Sequence, residues 1–195
     1  MPAARPRPAS ALRFGALTPE RWPDLETLFG KNGACAGCWC MYWRKTHAEW
    51  RGDKGESNRA SLRALVREGP PPGILAYDGD RPVGWCAVAP REEYVALAKS
   101  RTLAPVDATP VWSVSCFFIA RPYRRQGVSV QLLNAAVEFV RSQGGSVVEG
   151  YPVLPKKGAM ADAFAWTGLF SAFLKAGFRE ARPASEGRPI VRREV

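Results

Sequence analysis

The chain has 195 residues, enough for one domain, and its hydrophobic fraction of 46% can build a full core without disulfide or metal staples. No apolar run approaches the ~18 residues that a membrane span needs, and five cysteines, an odd number, exclude a complete set of internal disulfides. A net charge of +10 favours anionic partners, such as a polyphosphate cofactor or nucleic acid.

Met1 to Ser10 is rich in Pro and Arg and lacks the apolar block of a secretory signal. Residues 1–11 are therefore expected to be a flexible tail, residues 12–195 a single domain, and the thiols reduced, in the cytoplasm. Leu12 to Leu17 can form a first strand. Thr18-Pro19-Glu20 opens a helix to about Phe29, with Thr18 as N-cap. Gly30 to Gly55 reads as irregular. Ser57 can cap a helix to Glu68 that Gly69 and three prolines stop. Ile74–Tyr77 and Val83–Ala89 are strand-like and flank a hairpin turn at Asp78-Gly79-Asp80. After a connecting excursion, Val111 to Ile119 is the strongest strand, with Trp112, Val114, Cys116 and Phe118 on one face and Ser113, Ser115, Phe117 and Ile119 on the other.

A long helix is expected from about Val128 to Gln143. Gln131, Asn134, Glu138 and Arg141 form its polar stripe, and Leu132, Leu133, Ala136, Phe139 and Val140 lie opposite. Ser146 to Tyr151 is a further strand. Thr167 can cap a last helix to Ala176, with Phe170, Phe173 and Leu174 inward and Gly177 ending it. Strands near Phe178–Arg182 and Arg188–Glu194 close the chain. The order β-α-α-β-β-β-α-β-α-β-β predicts an α/β domain with a mixed sheet.

The segment between the best strand and the best helix carries the chemistry. Arg124-Arg125-Gln126-Gly127-Val128-Ser129 puts a glycine turn, flanked by arginines, at a helix N-terminus. Unpaired amides and the positive dipole end there suit an anion, typically a phosphate. The segment lacks the lysine and first glycine of a P-loop, and it is not a GxGxxG fingerprint.

Extended over Phe117-Phe118-Ile119-Ala120-Arg121-Pro122-Tyr123-Arg124-Arg125-Gln126-Gly127-Val128-Ser129, the segment resembles motif A of the GNAT N-acetyltransferase superfamily, (Q/R)xxGx(G/A) after a strand. Phe173-Leu174-Lys175-Ala176-Gly177-Phe178 resembles that superfamily's YxxxGF ending. The resemblance implies a GNAT fold, with about seven strands, about four helices and a splayed parallel pair of strands. It implies an acetyltransferase that moves an acetyl group from acetyl-CoA to a primary amine by direct attack, with no metal. Arg124, Arg125, Gln126, Gly127, Val128 and Ser129 would hold the cofactor diphosphate, and the backbone of Phe117, Phe118 and Ile119 its pantetheine. Two positions depart from the family: Ser129 replaces Gly or Ala, and Phe173 replaces a tyrosine that protonates the departing thiolate.

A carboxylate or a water chain must take the amine proton, and a backbone N–H must face the acyl oxygen. Glu149, on the second splayed strand, is the candidate base, and Tyr151 the candidate acid or a substrate contact. Cys116 reads as core. Cys35-Ala-Gly-Cys38-Trp39-Cys40-Met41-Tyr42-Trp43-Arg44 offers a C-x-x-C-x-C spacing that could hold zinc or a redox pair, but packing explains it better. The resemblance places Trp39, Tyr42 and Trp43 on the acceptor-pocket wall. Glu92, Glu93 and Asp107 could lend that pocket acidity, and a homodimer is left open. Two readings compete: a catalytically idle sensor that still binds CoA, and a basic nucleic-acid module, for which no binding motif is present.

Overall fold

The computed structural model describes residues 12–155, 164–185 and 188–195; the expected tail at 1–11 lies outside them. Strand β1 (Arg13–Ala16) leads into a single 3-10 turn at Pro19–Arg21, and α1 (Trp22–Phe29) follows. Thr18 is extended but its side chain caps nothing, so the regular helix begins three residues later than expected. The stretch 30–55 is not wholly irregular. A short helix α2 (His47–Gly52) lies inside it, started by a reciprocal capping box between Thr46 and Glu49. Helix α3 (Glu56–Glu68) starts at Gly55, which leaves Ser57 inside its first turn rather than at its cap.

Strands β2 (Gly73–Asp78) and β3 (Arg81–Pro90) form the expected hairpin about Gly79-Asp80. A short helix α4 (Val95–Ala98) interrupts the excursion before β4 (Trp112–Ile119). Then come α5 (Val128–Ser142), β5 (Val147–Gly150), α6 (Phe170–Lys175), β6 (Arg179–Ser185) and β7 (Arg188–Glu194). Helix α6 starts after Leu169, and Thr167 lies buried in the turn before it instead of capping it. Phe173 points inward as expected, whereas Leu174 is exposed.

The seven strands make one mixed sheet in the order β1-β2-β3-β4-β5-β7-β6, with β4 and β5 its parallel pair. One face packs on α5: Leu132, Leu133, Ala136, Val137 and Val140 meet Ile74, Cys86, Val88, Val114 and Val148. The other face carries α1 and α3, whose Trp22, Leu25, Phe29, Leu62 and Val66 pack on Leu75, Trp85 and Ala87. Each such aliphatic or aromatic side chain, fully buried, contributes on the order of 1.5–3 kcal/mol.

One detail of β4 overturns the expected alternation. Ala87 pairs with Cys116 but Val88 pairs with Val114, so Ser115 is an extra residue, a β-bulge. Past the bulge the parity reverses. Phe117 and Ile119 join Trp112 and Val114 on the α5 side, while Cys116 and Phe118 face α1. A one-residue insertion moves every later side chain to the opposite face.

Candidate functional site

The segment between β4 and α5 is built to present backbone amides. A 3-10 turn at Arg121–Tyr123 redirects the chain, and side chains pin it: Arg124 Nε donates to the Ile119 carbonyl at 2.9 Å, Gln126 Nε2 to the Pro122 carbonyl at 2.6 Å, and Tyr123 Oη to Asp78 at 2.8 Å. Arg125 (φ 61°) and Gly127 (φ 78°) are both left-handed. For a non-glycine residue that conformation costs about 1–2 kcal/mol, and such strain collects at ligand-binding turns. Successive amides in such turns can form an anion-binding nest. No side chain caps α5 at Gly127, and among the described residues the amides of Gln126 to Ser129 make no backbone hydrogen bond. A Cβ added at Gly127 would meet nothing within 4 Å, so the space beside that residue is open. A diphosphate fits these features: unspent donors, a 15-residue helix behind them and arginines alongside.

Beside this loop the parallel pair splays. β4 and β5 pair through Trp112–Val148, Ser113–Glu149 and Val114–Gly150, and then separate at the bulge. Residues 164–169 fill the start of the gap. The Trp166 carbonyl accepts from the Phe117 amide at 2.6 Å, and Val153 forms a parallel bridge with Leu169. The amide that the resemblance gives to the cofactor is thus occupied by a carbonyl of the chain itself. Phe117 is buried, with Phe118 and Ile119 half-buried. Phe173 closes the gap from below, its ring 6.1 Å from that of Phe117. A Cβ on Gly150 would lie 2.2 Å from this ring, which is why β5 ends on glycine.

Glu149 and Tyr151 stand together where the strands part, inside a closed ion-pair network. Glu149 is fully buried. Its Oε1 accepts from Arg91 Nη1 and from Tyr151 Oη, both at 2.7 Å, and its Oε2 accepts from Arg192 Nε at 2.8 Å. Arg192 also donates to Asp107 at 2.7 Å, and Arg91 to Tyr151 Oη and the Leu103 carbonyl. Since the Tyr151 proton goes to Glu149, Ser113 Oγ, 2.7 Å away, is the donor to Tyr151 Oη. Burial, and then the Glu149 carboxylate, push the Tyr151 phenol up, so it stays protonated. Sequence spacing missed both arginines, which lie 58 and 43 residues from Glu149.

The three aromatic residues expected on the acceptor wall divide. Tyr42 and Trp43 gather around Trp166, at ring distances of 5.1 and 5.9 Å, with Trp50 5.1 Å from Tyr42. Trp39 lies elsewhere, stacked on Trp22 at 5.9 Å, and lines a separate groove between residues 30–37 and the start of α3. Behind Tyr42 and Trp43, Tyr94 Oη and Ser115 Oγ are buried close enough to influence one another, though among the described residues neither makes a hydrogen bond of regular geometry. Glu93 is paired with Arg44 at 2.6 Å, so of the three acidic residues proposed for this pocket, two, Glu93 and Asp107, hold arginines.

The cysteine segment packs into the α1 side. Cys40 Sγ accepts from Trp85 Nε1 and lies 3.3 Å from Cys116 Sγ, and burial pushes the Cys38 thiol up to about 11. Among the described residues no group of three or more His, Cys, Asp or Glu side chains is placed to hold a metal ion. No described helix is long and apolar enough to cross a membrane.

The profile of the acetyltransferase (GNAT) family matches residues 36–152, more than half of the chain. No curated protein matches the sequence. Among solved structures, a paiA N-acetyltransferase from Thermoplasma acidophilum, in complex with coenzyme A, is similar with a TM-score of 0.52 at 9% identity, covering 95% of this chain and 100% of that one. The ribosomal-protein-S5-alanine acetyltransferase from Vibrio fischeri gives 0.52 at 11% identity, over 95% and 93%. The aminoglycoside acetyltransferase AAC(6')-Ib, in complex with coenzyme A and kanamycin, gives 0.52 at 16% identity, over 94% and 95%. At these identities the likeness is one of fold.

Proposed function

The chain belongs to the GNAT acetyltransferase family, whose members use acetyl-CoA, and from that premise we propose that it transfers the acetyl group to a primary amine by direct attack in a ternary complex. The observation that carries the reading is the uncapped start of α5, where the amides after Arg125 make no backbone hydrogen bond among the described residues and the space beside Gly127 is open. Acetyl-CoA supplies an activated thioester carbonyl, together with a diphosphate of the charge this loop lacks.

The residues divide the work as follows. Gln126 to Ser129 hold the diphosphate through their amides, with Arg124 and Arg125 adding positive charge. The backbone of Phe117 to Ile119 lines the pantetheine side of the gap. For the Phe117 amide to serve an acyl oxygen, the Trp166 carbonyl turns away, and Gly168 two residues on, at φ 87°, gives that turn its freedom. Tyr151 keeps its proton at Oη, directed at Glu149 and with Arg91 donating to its oxygen, and becomes a donor to the departing thiolate by exchanging that bond. Glu149 acts through Tyr151 as a positioning carboxylate, because two guanidiniums already occupy its lone pairs, and water along the Tyr42–Trp43 side receives the amine proton. The five cysteines, all free thiols, suit the cytoplasm as the setting.

Calorimetric titration with CoA and acetyl-CoA tests the central claim. Gly127→Val forces a branched side chain into a left-handed position in front of the amides. It is expected to weaken CoA binding by about 100-fold or more, roughly 2.7 kcal/mol, with acetyl transfer falling in step. Unchanged affinity would remove the diphosphate role of the loop. For Glu149 and Tyr151, the pH profile of Tyr151→Phe separates roles: a lower rate with an unchanged profile fits a positioned donor, and loss of a limb indicates direct proton transfer.

A further inference from the structure

We propose that the acceptor carries an anionic group, a carboxylate, some bonds away from its amine, and that Arg188 receives it. The proposal rests on the acetyltransferase reading and specifies the acceptor of the same site.

Its basis is a mismatch among the arginines around the acceptor side. Arg44 is paired with Glu93, Arg91 with Glu149, and Arg192 with both Glu149 and Asp107. Arg188, at the start of β7, is half-buried and has no carboxylate partner among the described residues. Its guanidinium sits over the Trp166 ring, 5.7 Å from the centroid, and its one hydrogen bond among the described residues is a long one of 3.4 Å to Thr167 Oγ1. Burial pulls this guanidinium below the usual arginine value, the mark of a desolvated cation with little compensation. A cation over an aromatic face gains only about 0.5–2 kcal/mol, while a bidentate carboxylate matches the fork of the guanidinium.

Position connects this cation to the chemistry. The ring beneath Arg188 belongs to the residue whose carbonyl rests on the Phe117 amide, where β4 and β5 part. The same ring touches Tyr42 and Trp43, and Tyr42, Trp166 and Arg188 are all partly open to solvent. An amine placed at the gap between the strands can therefore run its apolar stem over these rings and end at Arg188. The path from the Phe117 amide past the Trp166 ring to the guanidinium, itself 5.7 Å from the ring centroid, requires several bonds between amine and anion. A polycationic acceptor is matched less well, since Glu93, Asp107 and Glu149 are already spent on arginines and only the exposed Glu92 remains of the acidic residues named for this pocket.

The test uses straight-chain ω-amino carboxylates, each beside the amino alcohol of the same length. Acetylation is measured with acetyl-CoA, and binding to the CoA-loaded and the CoA-free protein is followed by tryptophan fluorescence. The carboxylates are expected to outperform their alcohols by at least about tenfold in kcat/KM or affinity at one preferred chain length. Arg188→Gln should erase that preference by lowering the carboxylates at least about tenfold more than their alcohols, and Arg188→Lys, which keeps the charge and protects against a folding defect, should restore part of it. Equal use of both series, or a preference that survives Arg188→Gln, overturns the proposal while leaving the acetyltransferase reading intact. Failure to bind CoA would instead count against that reading, and the fluorescence titration of the free protein would still decide the role of Arg188.

Discussion

The start of α5 and the cluster around Glu149 lie on either side of the same gap, and they treat polar groups in opposite ways. Around Glu149 every strong donor and acceptor has a partner: two arginines, a phenol and a serine interlock about the buried carboxylate, and the exposed Asp107 holds the outer arginine. At the start of α5 the chain adopts a left-handed arginine and leaves the helix end without a cap. Fixing polar groups to each other makes structure, and leaving them directed at open space makes a place for a ligand. The contrast explains why Glu149, though well placed on the second splayed strand, is a poor candidate for free proton acceptor.

The sharpest way to break this contrast is to open the closed side. Glu149→Gln leaves the part-buried Arg91 without its counter-charge and Arg192 with Asp107 alone; breaking a fully buried pair costs about 3–5 kcal/mol, and the partial exposure of both guanidiniums puts this loss toward the lower end. Urea unfolding should show that loss as a lower midpoint with an unchanged slope. A variant as stable as the parent would mean that the network contributes nothing to the fold and that Glu149 is available for chemistry. Gly127→Val is the opposite manipulation: binding should suffer most there, while stability falls by no more than the roughly 1–2 kcal/mol of left-handed strain.

How far the sequence reveals these regions follows from the range of the forces involved. The strand–turn–helix around Gly127 is legible because everything that makes it is local: an apolar strand, a glycine, and a helix whose apolar side repeats every third or fourth residue. The same holds for the β2–β3 hairpin and for Gly177. The Ser115 bulge leaves no local trace, since one additional residue in a run of apolar and small side chains keeps the composition of a strand. Arg91 and Arg192 reach Glu149 only after the sheet has formed, so their pairing is not written in any spacing. Trp166 falls in the same class, because its carbonyl meets Phe117 at a separation of 49 residues along the chain. The short α2 is different: the Thr46-x-x-Glu49 box that begins it is a local signal, hidden among the cysteines and tryptophans around it.

That box also sharpens the comparison, being a helix start whose donors are satisfied. Glu49 N donates to Thr46 Oγ1, and Thr46 N to Glu49 Oε2 at 2.9 Å. Thr46→Ala removes one arm and is expected to cost about 1 kcal/mol of stability, read from the urea midpoint. CoA affinity should not change, since α2 is far along the chain from the loop and contributes no residue to it. A matching loss of CoA binding would show that the segment carrying Tyr42 and Trp43 is coupled to the diphosphate loop.

The smallest effect lies at the rim of the closed network, and its sign follows from titration. Arg192, together with the Thr109 amide, holds the exposed Asp107 carboxyl at about 2, below its ordinary value of 3.8. A carboxyl with a depressed folded value binds its proton less readily in the native state, so its contribution is complete above pH 4 and disappears as the pH falls from about 4 to 2. Asp107→Asn should therefore differ slightly from the parent in thermal midpoint at neutral pH and converge with it as the pH falls to about 2. Solvent screening keeps the difference small. If the two proteins instead diverged as the solution became more acidic, the Asp107–Arg192 pair would be repulsive or absent in solution, and the outer wall of the network around Glu149 would have to be redrawn.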